Sequence, residues 1–149
     1  MDSRLTLGAL STFMEAYSLY CKPICREFGL PQTAFDILMF LSNNPEHCTA
    51  KEISRLRGLK ENIISINVNK LVNEGYLLRQ GDTADRRKVR LICTEKASLI
   101  VQRGREVQER FLRQVQQGLT AQELRMHYHC LETISANAKR ILDQKTGTA

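Results

Sequence analysis

The helical pattern of this chain stops at Gly75 and resumes at Thr94, and between them two short apolar segments flank a tip carrying Asp85-Arg86-Arg87-Lys88. Leu77-Leu78-Arg79 leads in and Val89 to Cys93 leads out, with Val89, Leu91 and Cys93 alternating against Arg90, Ile92 and Thr94 as in a half-buried hairpin. Gly81-Asp82-Thr83-Ala84-Asp85 supplies a polar, flexible turn. One hairpin set among helices leaves few architectures open. It also puts Arg86, Arg87 and Lys88 on a thin projection, where cationic side chains can enter a minor groove or hold phosphates. A solvated charged hairpin with no partner explains the run alone nearly as well, so the flanking segments decide.

Upstream, Leu10, Phe13, Met14, Tyr17, Cys21, Ile24 and Phe28 recur at three- and four-residue steps, predicting one long helix from near Ser3 to Phe28, bent at Pro23. Gly29 ends it, and Pro31 opens a second helix to about Asn43 whose Phe35, Ile37, Leu38, Met39, Phe40 and Leu41 demand burial on nearly every side. Thr49-Ala50-Lys51-Glu52 reads as a capping box before a short third helix with Ile53 and Leu56 inward, ending at Gly58. A fourth helix runs from Lys60 to Glu74, and the pair makes a helix-turn-helix. After the hairpin, Thr94 caps a fifth helix to Gln117. Thr120-Ala121-Gln122-Glu123 then opens a sixth through Leu142, leaving a frayed tail from Gln144 to Ala149.

On the fourth helix Ile64, Val68, Leu71 and Val72 form the core stripe. The opposite face holds Asn62, Ile66, Asn69 and Asn73, with Ile63 and Lys70 on one flank and Ser65 on the other. Asn can bridge N6 and N7 of adenine, and an apolar side chain can meet a thymine methyl, so this face suits an A/T-biased major groove. The first turns reach bases, which ranks Asn62, Ser65 and Ile66 above Asn69 and leaves Asn73 outside. Ordinary solvent exposure explains each asparagine singly, and helix or subunit packing explains Ile63 and Ile66. Lys60 at the helix start and Lys51, Arg55 and Arg57 on the preceding helix stand where flanking phosphates would lie.

Charge agrees with that placement. Of a net +6, an excess of +4 falls between Glu46 and Lys96, where eleven Lys/Arg meet seven Asp/Glu. A basic balance favours a polyanionic partner. At 149 residues the chain is one domain's worth, long enough to fold without disulfides or metal. No apolar stretch is long enough to span a bilayer and no signal core follows a basic start, so the expected location is cytoplasmic. The five cysteines, Cys21, Cys25, Cys48, Cys93 and Cys130, are odd in number and irregularly spaced, as reduced thiols are.

With these elements in order the chain resembles the MarR (multiple antibiotic resistance regulator) family of winged-helix transcription factors. The resemblance rests on Leu59 through Leu71, on Glu74-Gly75-Tyr76-Leu77-Leu78-Arg79, on Asp85-Arg86-Arg87, and on Val89-Arg90-Leu91-Ile92-Cys93-Thr94-Glu95-Lys96-Ala97. These follow the family's Gly-apolar-apolar-x-Arg step, its Asp-x-Arg wing and its Leu-Thr-x-x-Gly entry to a long helix. Cys93 stands for the usual leucine and Ala97 for the usual glycine, and Ile63 and Ile66 occupy positions that often carry hydroxyl or basic residues. The resemblance implies a mainly α fold with a small β-hairpin wing. One domain over 1–149 would hold a winged helix-turn-helix in 31–94, flanked by dimerisation helices in 1–30 and 95–143. It implies that Arg87 reaches the minor groove, that Asp85 braces it by an ion pair and that Arg86 adds a phosphate contact.

The family is homodimeric, and the sequence agrees independently: Ile100, Val107, Phe111 and Val115, then Leu124, Tyr128, Leu131, Ile134, Ala138 and Ile141, make apolar stripes that one compact winged helix cannot cover. Small phenolic ligands or oxidants often control such proteins, and Phe13, Tyr17, Tyr20, Phe35 and Met39 are candidates to line a ligand cleft, with plain core as the simpler reading. Cys21 and Cys25 share a helical face, which invites a redox or metal hypothesis with His127, His129 or Cys130. The peroxide-sensing branch uses a cysteine near the start of its first helix, and Met1 to Tyr20 contains none. The expectation is a regulator of transcription on a pseudo-palindromic duplex site, acting as a repressor relieved by a ligand or thiol modification, with no cofactor, no resident metal and no membrane partner. A winged-helix module for an acidic protein, or a non-specific architectural DNA binder, is the rival. An enzyme built on Cys and His is the remote one, since no cysteine sits in a Gly-rich nucleophile turn.

Overall fold

A computed structural model describes residues 3–82, 85 and 87–146, with side chains from 7 to 144 of that set. The elements are α1 (Ser3–Glu27), α2 (Gln32–Asn43), α3 (Ala50–Arg57), α4 (Glu61–Asn73), β1 (Leu77–Gly81), β2 (Val89–Cys93), α5 (Glu95–Val115) and α6 (Ala121–Thr146). They fall into two compact units, one ending at Phe111 and one starting at Leu112. The expected mainly helical fold with one antiparallel hairpin is the fold observed.

In the first unit local chemistry sets the boundaries. The Thr49 hydroxyl accepts from the Glu52 amide at 3.2 Å and the Glu52 carboxylate accepts from the Thr49 amide at 3.0 Å, so two orphan donors of α3 are satisfied reciprocally. At the far end of α4, Tyr76 donates to the Leu71 carbonyl and Gly75 to that of Val72, with Gly75 at φ 77. That left-handed residue is what turns the chain out of the recognition helix and into β1. Helix α1 runs on through Pro23 to Glu27.

The core gathers α2, the inner face of α4 and the start of α5. Phe35, Ile37, Leu38, Ile53, Ile64, Leu71, Leu77 and Ile100 are fully buried around it. The hairpin pairs Leu77 with Cys93, Arg79 with Leu91 and Gly81 with Val89. Leu77 and Leu91 are buried and Cys93 half-buried, but Val89 is 48% exposed, because the hairpin leaves the core toward its tip. Its base is closed by Thr94, whose hydroxyl donates to the Gly75 carbonyl at 2.7 Å.

Helix α5 meets α2 at Gly104, and the close approach requires glycine there. A Cβ at that position would lie 3.0 Å from Cε2 of Phe35 and closer still to Sδ of Met39, both buried. Gly104→Ala is expected to lose about 1–3 kcal/mol to overpacking, outweighing the ~1 kcal/mol that alanine gains in helix propensity. Urea denaturation checks this, and a stabilised variant would contradict it.

Asp36 on α2 lies mostly buried, with its carboxylate 3.7 Å from the Arg57 guanidinium at the end of α3. Burial, partly offset by Arg57, pushes its carboxyl from the ordinary 3.8 up to about 6. The folded protein thus holds this proton more tightly than the unfolded chain. The contribution is present at low pH and is lost as pH rises from about 4 through about 6. Asp36→Asn should gain stability relative to the parent across that window, read from urea midpoints at pH 4 and pH 7.5; an equal gap at both would contradict the assignment.

Ile100, Val107 and Phe111, expected in a dimer stripe, are buried within the first unit. In the second unit the Thr120 amide donates to the Glu123 carboxylate at 2.7 Å, forming the expected second capping box with the return bond from the Glu123 amide. Helix α6 continues past Leu142 to Thr146, and residues 147–149 lie outside the described set. No described residue from 112 to 144 is buried. Val115, Tyr128, Leu131, Ile134 and Ile141 are all exposed, and Leu124 is half-buried.

Candidate nucleic-acid interface

Helix α4 buries Ile64, Val68 and Leu71 and turns Asn62, Ile63, Ser65, Ile66 and Asn69 to solvent. Ile66 is 63% exposed and Ile63 38%, so within this chain neither is taken by packing. An exposed isoleucine amid amides on one helix face is suited to a thymine methyl. The amides are already partly committed: Asn62 Oδ1 accepts from the Ile63 amide at 2.9 Å, and Asn69 Oδ1 accepts from the Arg79 guanidinium on β1. Asn67, which the sequence reading passed over, is buried and donates to the Ile63 carbonyl at 2.8 Å, satisfying its amide inside the helix. Glu61, in the first turn of α4, sits where the helix dipole favours a carboxylate.

Cations frame that face. Lys60 is the exposed N-cap residue of α4, and Lys51 and Arg55 are exposed on α3. Lys70 is bound to Glu74 at 2.5 Å, which ties down the one charge expected on the flank of the reading face.

At the hairpin tip Asp85 Oδ1 accepts from the Arg87 backbone amide at 3.0 Å, and the Lys88 amide donates to the Asp85 carbonyl at 2.9 Å. The carboxylate thus braces Arg87 through its main chain, and the Arg87 side chain is exposed. Arg86 lies outside the described residues. A groove of about 560 Å³ runs between the start of α3 and the hairpin, walled by Thr49, Lys51 and Glu52 on one side and by Asp82, Arg87, Lys88 and Arg90 on the other. With Glu46 also in the lining, four cations stand against three carboxylates, and the cations gathered on the hairpin wall suit a phosphate strand. Arg79 and Arg90 carry part of the family resemblance but were not among the DNA-binding candidates; their signal was the strand alternation that puts them on opposite faces of the hairpin, Arg79 meeting α4.

The five candidate ligand residues split into two groups. Phe13, Tyr17 and Tyr20 pack around Phe111 with ring centroids 4.9, 5.4 and 5.2 Å away, and Tyr17 accepts from Gln108 at 3.0 Å. Phe35 and Met39 are buried elsewhere, against Gly104. A cleft of about 440 Å³ between α1 and α5 includes Tyr20 and none of the other four, its walls carrying Leu19 and Ile24 with Arg103 and Arg110 matched by Glu27 and Glu106, and Arg103 paired with Glu27. Burial pushes the thiols of Cys21 and Cys25 up to about 11, which keeps them protonated and weakly nucleophilic at neutral pH. Among the described residues no three His, Cys, Asp or Glu side chains are grouped to hold a metal ion, and no described helix is long and apolar enough to cross a membrane.

The MarR family model matches residues 28–88, which contain α2 to α4 and the hairpin up to its tip. Among solved structures the chain is similar to a MarR protein of Peptoclostridium difficile, with 20% identity, TM-score 0.80, and 97% of this chain and 93% of that one covered. It is similar to a MarR transcriptional regulator of Methanosarcina mazei, with 22% identity, TM-score 0.81, and coverage of 93% and 99%. It is also similar to a MarR family transcriptional regulator of Listeria monocytogenes solved in complex with a 26-mer DNA, with 15% identity, TM-score 0.81, and coverage of 99% and 96%. At such identities the likeness establishes the fold. No curated protein matches the chain in sequence.

Proposed function

We infer that this chain, which carries the MarR-family winged helix in residues 28–88, is a dimeric, sequence-specific regulator of transcription that binds double-stranded DNA. The observation that carries the reading is an exposed amide- and isoleucine-bearing face of α4 beside exposed cations of α3, the α4 N-cap and the hairpin, which supports readout by Asn62, Ser65 and Ile66 and phosphate contacts from Lys51, Lys60, Arg87 and Lys88. Arg55, Ile63, Asn69 and Lys70 border the same face, Asp85 holds the wing, and Arg86 belongs to the wing by its place in the sequence.

A second copy of the chain is the partner this reading needs. The exposed apolar side chains of α6, with Leu10 and Met14 on α1, support it. Two heads then read half-sites about one helical turn, roughly 10 base pairs, apart. A dimer on a promoter acts as a repressor by occlusion, and a small ligand that alters the spacing of the heads relieves it. The cleft beside Tyr20, lined by Leu19, Ile24 and Val107, supports such a ligand. The raised Cys21 and Cys25 thiols weigh against relief by thiol modification. A DNA partner supports a cytoplasmic location.

Selection from a random duplex pool tests this reading. The enriched sequence should be two-fold related, and Asn62→Ala should weaken binding to it about tenfold while leaving binding to unselected DNA nearly unchanged. Equal losses on both duplexes would count against base readout by α4.

A further inference from the structure

A polar contact whose chemistry is directional joins the hairpin to the recognition helix. Arg79 and Leu91 are cross-strand partners, and the Arg79 guanidinium donates from Nη2 to Oδ1 of Asn69 on α4. A guanidinium has donors only, so it can meet the oxygen end of the amide and never the nitrogen end. A free asparagine on a solvated helix face samples both amide orientations; here the flipped one would set N–H against N–H. Asn69 is exposed, two helical turns along α4 from Asn62 and one from Ile66. Its Nδ2 hydrogens therefore point away from Arg79, and one lone pair of Oδ1 stays open. One donor beside one acceptor is the pattern that bridges N7 and N6 of adenine.

We propose that Arg79 is a positioning residue for base readout, fixing the amide of Asn69 so that Asn69 reads an adenine in each half-site. This rests on the DNA-binding reading above and extends it. The ranking of Asn69 below Asn62, Ser65 and Ile66 is a ranking by helix turn alone. Arg79 offsets the handicap of position by removing the cost of orienting the amide before the base arrives. It also couples the wing to the helix, so a displaced hairpin would release the amide and relax specificity as well as affinity.

The test is a double-mutant cycle on the selected duplex and on duplexes carrying each single base-pair change across one half-site. Asn69→Ala and Arg79→Ala should each lower discrimination about tenfold, and at the same base pair. The double variant should discriminate no worse than Asn69→Ala alone. Arg79→Lys, which keeps the charge but lacks the planar donor fork, should lose part of that discrimination with an unchanged salt slope. Both side chains are exposed, so the variants should keep the parent's melting temperature. A parent that discriminates while Arg79→Ala discriminates equally, binding all duplexes more weakly with a salt slope smaller by about one, makes Arg79 a phosphate contact and overturns the proposal alone. Additive losses at different base pairs overturn it too. A parent with no sequence preference overturns both this proposal and the regulator reading.

Discussion

Arg87→Ala is expected to weaken binding to the selected duplex by about 1–3 kcal/mol, tenfold or more, without unfolding the protein. The two halves of this expectation have separate causes. Arg87 is held by its backbone, where the amide donates to Asp85 Oδ1, while its side chain is exposed on the groove between hairpin and α3. Truncation therefore removes a cation from the groove and leaves the contacts that shape the wing in place. Anisotropy titrations should show the loss, and the melting temperature should stay that of the parent. Asp85→Ala should also weaken binding, by freeing the backbone rather than by removing positive charge. Unchanged affinity in Arg87→Ala would take the wing out of the mechanism.

Phe111→Ala is expected to cost about 3–5 kcal/mol of stability, the largest loss of any substitution considered. Phe111 is 2% exposed, and Phe13, Tyr17 and Tyr20 of α1 close around it with centroids near 5 Å. Removing the ring leaves a cavity where α1 and α5 meet, together with three aromatic contacts worth ~0.5–1.5 kcal/mol each beyond their buried area. The midpoint of urea denaturation, taken at fixed protein concentration because a dimer couples to folding, reads the loss. A change below about 1 kcal/mol would mean that the rings are loosely packed, and would return Phe13 and Tyr17 to candidacy as cleft residues beside Tyr20.

What the sequence made legible was local. Capping boxes at Thr49/Glu52 and Thr120/Glu123, the end of α4 at Gly75 and the stripe Ile64, Val68, Leu71 and Val72 each depend on residues a few positions apart, and each stands as expected except that Val72 is only half-buried. What it hid depends on partners far along the chain. Thr94 shows no sign in the local pattern of its tie to the hairpin base, which forms when the fold brings the Gly75 carbonyl, nineteen residues away, to its hydroxyl. Gly104 reads as a weak spot in a helix until α2 lies against it. Phe111 reads as part of a dimer stripe until α1 supplies three rings.

The candidate interface divides the same way. Lys51, Lys60, Asn62 and Ser65 are exposed, as their places in the helical pattern suggest. Ile63 and Ile66, whose hydrophobicity argues for packing, are exposed as well, so side-chain type alone misleads there. The Arg79–Asn69 contact spans ten residues and forms only once the hairpin has turned back on α4, which no periodicity encodes.

The central claim is sequence-specific binding to duplex DNA, and the most direct measurement is fluorescence anisotropy of the purified protein with DNA flanking its own gene and with scrambled DNA, over a salt series. The account predicts tight binding that prefers the native flank and falls steeply with salt, as replacement of several phosphate counterions requires. Weak binding, equal on both duplexes, would contradict it and leave the charges of the wing as a solubility feature or a surface for an acidic protein.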